Sequence, residues 1–178
     1  MRRVTVVPYD TRWSRLFEEE ADELAAIFGE EIVGIHHIGS TAIPGIYAKP
    51  IVDILVEVRE IDKIEALNLE MAERGYVPQG EFGIRARRFF IKGSEGRRTH
   101  HVHVFQTGDA EVERHLAFRD YLRVHPKEAQ AYSRLKQHLV SRFPNDIDSY
   151  MDGKNDWIKE TERKAKAWKA RVKTADFR

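Results

Sequence analysis

The chain has 178 residues, enough for one domain, or for a small α/β domain with a helical extension, and enough to bury a core. It has no cysteine, which excludes disulfides and thiolate metal sites and fits a reducing, cytoplasmic setting. Lys and Arg number 30 against 29 Asp and Glu, a balance without the basic footprint of a nucleic-acid binder. The apolar run near the start is only a few residues long, and no later run is long enough to span a bilayer. The expectation is a soluble, cytoplasmic protein.

In chain order, Val4 to Val7 reads as a short strand or arm. Asp10 and Thr11 stand at the N-cap of a helix whose stripe is Trp13, Leu16, Phe17, Leu24, Ile27 and Phe28, ending at Gly29. Val33 to Ile38 is an apolar strand that stops at Gly39-Ser40-Thr41, and Pro44-Gly45 turns the chain into a second strand, Ile51 to Val58. Ile61, Ile64, Leu67 and Met71 recur with helical period up to Gly75. A polar connection through Gly80 and Gly83 leads to a hairpin of Arg87 to Ile91 and Thr99 to Phe105, turning at Gly93-Ser94-Glu95-Gly96.

From Asp109 the pattern is helical. Asp109 caps a helix carrying Val112, Leu116 and Leu122, which breaks at His125-Pro126. The next carries Ala129, Tyr132, Leu135 and Leu139 and ends by Phe143-Pro144. A short piece from Ile147 to Met151 is interrupted at Asp152-Gly153-Lys154, and a last helix from about Asn155 aligns Trp157, Ile158, Ala165, Trp168 and Val172. Residues 1–107 therefore read as a mixed sheet with flanking helices and 108–178 as a helical cap, with a cleft over Asp53.

Four groups of residues invite chemistry. Val52, Ile54, Val56 and Val58 share the core face of the second strand, so Asp53, Leu55 and Glu57 look out on the other face. A carboxylate there needs compensation. Gly39, Ser40 and Thr41 expose backbone N–H groups to a phosphate, beside Asp53 as a metal ligand. Lys49 neutralises phosphate or sits at the surface. His101 and His103, two apart on a strand, point to one face and share a metal ion, straddle a phosphate, or are polar residues of a half-buried hairpin; His100 points the other way. His115, Arg119 and Arg123 form one helical stripe that either clamps phosphate or pairs with acids such as Asp120. The basic residues of the last helix are interspersed with acids and read as a solvated face.

The stretches HIGSTAIPGIYAKPIVDILVEV, THHVHVF, RHLAFRDYLRVHP and YMDGKNDWIKE, in this order and spacing, resemble the GrpB family over nearly the whole chain. That family resembles a branch of the polymerase-β-type nucleotidyltransferase superfamily, which implies an α/β (α+β) fold with a mixed sheet and a helical partner. By that resemblance Gly39 and Ser40 hold phosphates, and Asp53 begins a pair of acids that bind magnesium or another divalent metal. Leu55 stands where the second acid belongs, Glu57 lies further along the strand, and His101 or His103 takes the place of a third acid. The implied ligand is a nucleotide or phosphorylated small molecule. If nucleotidyl transfer occurs, Lys49, Arg119 and Lys154 offset charge as pyrophosphate leaves. The alternative is a non-catalytic nucleotide-binding or folding-accessory module, since family members also occur fused to dephospho-CoA kinase, and that reading leaves room for a protein partner.

Overall fold

The centre of the sheet is β2, Val52–Val58, whose alternating residues face two different environments. In this computed structural model, which describes residues 4–94 and 96–175, Val52, Ile54, Val56 and Val58 are at most 2% exposed. They form the main core with Val102, Val104 and Phe90, under Trp13, Leu24 and Phe28 of α1 (Arg12–Phe28) and Met71 of α2 (Asn68–Glu73). Glu95 of the expected hairpin turn, and residues 1–3 and 176–178 of the two expected parts, lie outside the described residues.

Among the described residues the strands run in the order β1-β2-β5-β4-β3. β1 (Ile32–Ile38) is antiparallel to β2, β2 is parallel to β5 (Arg97–Gln106), and β4 (Arg88–Ser94) and β3 (Tyr76–Pro78) complete the sheet by antiparallel pairing. This is the expected mixed sheet with flanking helices.

The second face is covered by helices. Leu55 and Phe105 pack with Ile38 and Val112 of α3 (Ala110–Val124). α3 in turn packs with α4 (Pro126–Arg142) and α5 (Ile147–Ala175) around Ile43 and Ile46 of the loop after β1. Pro126 opens α4, where its missing N–H has no intrahelical partner to lose. Asp109 caps α3 as its position implies, accepting from the Glu111 amide at 2.8 Å.

Three local expectations change. The break at Asp152-Gly153-Lys154 does not exist, because α5 runs unbroken from Ile147 to Ala175. Gly153 is there for packing: a Cβ on it would stand 2.5 Å from Cδ2 of Leu139 on α4. The segment Ile61–Leu67 is 3-10 before α2 begins. β3 occupies Tyr76–Pro78, too short a run to show alternation, and it is fixed by pairing with β4. No described helix is long and apolar enough to cross a membrane.

Candidate functional site

The loop after β1 holds the site's geometry. Gly39 has φ 71° and ψ −170°, a backbone region used by almost no residue but glycine. It lies against Asp53, whose β2 position pairs with Ile38 of β1. A Cβ at 39 would meet Asp53 Oδ2 at 2.8 Å. The chain then enters a 3-10 turn, Ser40–Ala42. Ser40 Oγ accepts a 2.9 Å hydrogen bond from Lys136 Nζ of α4. Thr41 turns inward at 1% exposure, its hydroxyl 2.9 Å from His37 Nε2.

Asp53 is compensated by histidines. The parallel register sets His101 opposite Asp53 and His103 opposite Leu55, and His101 Nδ1 and His103 Nε2 both stand 3.3 Å from Asp53 Oδ1. Arg87, 5% exposed, reaches His103 Nδ1 at 3.3 Å and is itself held by the carbonyls of Glu81 and Phe82. A guanidinium only donates, so His103 Nδ1 accepts and Nε2 carries the proton toward the carboxylate. Burial pushes the Asp53 carboxyl upward, yet the hydrogen bonds from His101 and His103 prevail and hold it well below the usual carboxylate range. Burial pushes His103 down against the attraction of Asp53. His100 faces the other way, toward Glu20 of α1 at 3.8 Å.

These residues do not fit a pair of magnesium ions. Leu55, where a second carboxylate belongs, is fully buried in an apolar cluster, and Glu57 is engaged with His36 Nε2 at 2.7 Å. The nitrogen donors beside Asp53 suit a transition metal better than magnesium. Among the described residues, however, no three His, Asp or Glu side chains are arranged to hold one ion.

The helices α4 and α5 each supply a buried lysine. Lys136 and Lys154 are 2% and 6% exposed, and among the described residues neither has a salt bridge. Lys154 Nζ lies 4.6 Å from the Tyr150 ring centroid, Lys136 Nζ 4.4 Å from that of Tyr132, and Lys49 Nζ 5.4 Å from Tyr150. Burial, then the charge of Lys154, lowers Lys136 to about 7. Burial, then the charge of Lys49, lowers Lys154 to about 8, with Asp53 pulling the other way. Tyr132 is within hydrogen-bonding reach of Ser40.

Lys154 and Lys49 were legible in the sequence as candidates, but Lys136 was not. Its signal is its spacing: Ala129, Tyr132, Lys136 and Leu139 form the buried stripe of α4, which places a lysine where an apolar residue is the rule.

Arg119 and Arg123 reach the loop and fasten it. Arg119 donates to the His37 carbonyl at 3.1 Å and pairs with Asp120 at 2.7 Å, while Arg123 donates to the Ala42 carbonyl at 2.8 Å. His115 bonds the Glu111 carbonyl at 2.7 Å and lies 5.7 Å, ring to ring, from His103. A groove of about 600 Å³ between α3 and α5 is lined by none of Gly39, Ser40, Asp53, Lys136 and Lys154, and Arg114 pairs within it with Glu111 and Glu162.

A family model described as GrpB protein matches residues 3–164. The chain belongs to the GrpB family. It is similar to UPF0157 protein YqkA of Bacillus subtilis, 48% identical over 94% of this chain and 49% of that protein. The crystal structure of conserved protein GrpB from Enterococcus faecalis superposes with a TM-score of 0.88 at 45% identity, covering 92% of this chain and 99% of that one. A more distant likeness, 25% identity over 93% of this chain, is to a dephospho-CoA kinase of Mycolicibacterium paratuberculosis, of which it covers 46%. This GrpB-family chain thus spans about half the length of those two curated relatives.

Proposed function

We propose that this GrpB-family protein binds a phosphorylated small molecule, a nucleotide being the first candidate, on the Ser40 loop beneath α4 and α5. The observation that carries the reading is Lys136: an ammonium 2% exposed, bonded to Ser40 Oγ at 2.9 Å and paired with no acid among the described residues. A buried cation without an anion is costly, and an anionic ligand removes that cost. Gly39 and Ser40 offer backbone N–H groups to the same ligand, and Lys49 and Lys154 add charge.

Magnesium-dependent nucleotidyl transfer is not part of this reading, since Leu55 supplies no second acid. Asp53 serves to orient His101 and His103 rather than to anchor a metal pair. Titration calorimetry with ATP, GTP, CTP and UTP, each in EDTA and in magnesium, tests the proposal on wild type, Lys136→Met and Asp53→Asn. Binding that persists in EDTA and is lost in Lys136→Met supports it. Binding that needs magnesium, disappears in Asp53→Asn and ignores Lys136→Met sinks it.

The match to 46% of a dephospho-CoA kinase favours one further reading, in which the chain acts as an accessory module beside an enzyme. Co-purification with the organism's dephospho-CoA kinase, and a change in that enzyme's soluble yield when this chain is deleted, are what it predicts.

A further inference from the structure

We propose that the ligand of the Ser40 cleft carries a planar aromatic ring, a nucleobase, and that Phe82 is the platform on which this ring stacks. The inference rests on the phosphate-binding reading above and deepens it, setting a nucleotide apart from phosphorylated molecules without a ring.

Phe82 lies in the connection between β3 and β4. That connection is tied at its base, where the Gln79 amide donates to the Phe89 carbonyl at 2.8 Å and the Phe89 amide to the Gly80 carbonyl at 2.9 Å. Its tip is tied too. Arg87 donates to the carbonyls of Glu81 at 3.1 Å and Phe82 at 2.7 Å, and the Ala86 amide donates to Glu81 Oε1 at 2.6 Å. Ile84 packs against the cluster of Leu55, Phe105 and Val112.

This fastening holds Phe82 in a state that is unfavourable twice over. Its φ is 44°, in the left-handed region that a bulky side chain rarely adopts, and the residue is 59% exposed although it is apolar. Such strain persists only where surrounding contacts impose it, and it gathers at ligand clamps. A ring whose task was to shield Phe89 would be drawn inward. Phe82 instead stacks one face on Phe89, at 5.4 Å between centroids and 25° between planes, and leaves the rest to solvent.

The platform is joined to the cleft by ring contacts. Phe89 sits opposite His103 in the sheet and lies 4.9 Å from its ring and 5.3 Å from that of His101. Both imidazoles stand 3.3 Å from Asp53 Oδ1, and Gly39 is packed against the same carboxylate. Arg87 belongs to both ends, since the guanidinium that fixes the Phe82 carbonyl also reaches His103 Nδ1 at 3.3 Å. The exposed ring is thus two ring contacts from His103, on the sheet face that Asp53 occupies. A nucleotide laid across that face has its base on Phe82 and its phosphates at Ser40 and Lys136. Stacking of this kind accepts any base, because each has a π-face, whereas a sugar phosphate or a polyphosphate leaves Phe82 in water.

The test is titration calorimetry of the full chain in EDTA with ATP and with inorganic tripolyphosphate, which has the phosphates and no ring, on wild type, Phe82→Ala, Phe82→Trp and Lys136→Met. ATP is expected to bind wild type about five- to a hundredfold more tightly than tripolyphosphate. Phe82→Ala is expected to remove that advantage and leave tripolyphosphate unchanged. Phe82→Trp is expected to keep it and to show indole fluorescence that ATP quenches beyond the wild-type signal and tripolyphosphate does not. Lys136→Met is expected to weaken both ligands.

Equal affinity of wild type for the two ligands overturns the platform while leaving the cleft reading intact. So does ATP binding by Phe82→Ala at wild-type strength, or an equal loss of both ligands in that variant with a lowered melting temperature, the signature of a ring that only shields Phe89. Failure of both ligands to bind wild type overturns both proposals.

Discussion

Gly39 and Asp53 are packed so closely that a Cβ on the first would sit 2.8 Å from Oδ2 of the second. The loop after β1 and the strand that carries the carboxylate are thereby held at one fixed distance. Gly39→Ala must leave a glycine-only backbone region and push on a carboxylate already held by two histidines. It is expected to cost about 1–3 kcal/mol of stability, read by urea denaturation, and to abolish ligand binding. Retention of wild-type stability would mean that the loop relaxes freely.

Lys136→Met exchanges a buried ammonium for an apolar chain of similar length. A ligand site that carries an uncompensated charge is less stable empty than its apolar replacement. The melting temperature of the free variant is expected to stay level or rise, while phosphate binding falls by about tenfold or more. A structural lysine would show the opposite pattern, with lower stability and unchanged binding.

The same lysine gives stability and binding opposite pH dependences. Lys136 is held to about 7 in the folded chain against its ordinary 10.5. Between those values the unfolded chain keeps a proton that the folded chain has released, so stability rises with pH across that window. The ligand prefers the ammonium. Phosphate affinity is therefore expected to fall between pH 7 and 9, and at pH 8 binding takes up a proton, visible as a calorimetric enthalpy that varies with the ionisation heat of the buffer.

On the acid side, His37 and His115 matter. Both are lowered to about 4 from 6.5 by burial, with the charges of Arg123 and Arg114, respectively, next in importance. Below pH 6.5 the unfolded chain binds protons that the folded one refuses. Stability is therefore lost as pH falls from 6.5 to 4, by at most about 1.4 kcal/mol per pH unit for each histidine. His115→Gln is expected to flatten that slope in denaturation curves taken at pH 6.5, 5.5 and 4.5. An unchanged slope would show that His115 takes its proton while folded.

Gly153→Ala tests the close contact of α5 with Leu139 of α4. An alanine improves the helix by about 1 kcal/mol in isolation, but here its methyl meets Cδ2 of Leu139 at 2.5 Å and Cδ1 at 3.2 Å. Leu139 is 5% exposed and has little room to move. A net loss of about 1–3 kcal/mol is expected, with part of it recovered in the double variant Gly153→Ala/Leu139→Val. Stabilisation by the single change would remove packing as the reason for this glycine.

The sequence by itself determined what is local and periodic. The two-sided pattern of Val52 to Val58 set which face of β2 is core and that Asp53 stands on the other. Asp109 and Pro126 marked where α3 and α4 begin, because caps and ring constraints act within a turn. The pairing of His101 with His103 on one face followed from strand geometry alone.

What only the tertiary structure decided depends on contacts between distant elements. Gly153 reads as a helix breaker until Leu139 is seen against it, since propensity yields to packing. Arg119 and Arg123 became fasteners of the Ser40 loop because the carbonyls of His37 and Ala42 lie in their reach. Lys136 reads as one more charge on a helix, and only the approach of α4 to Ser40 and α5 turns it into a buried cation. A sequence records each charge; the fold decides which of them water can no longer reach.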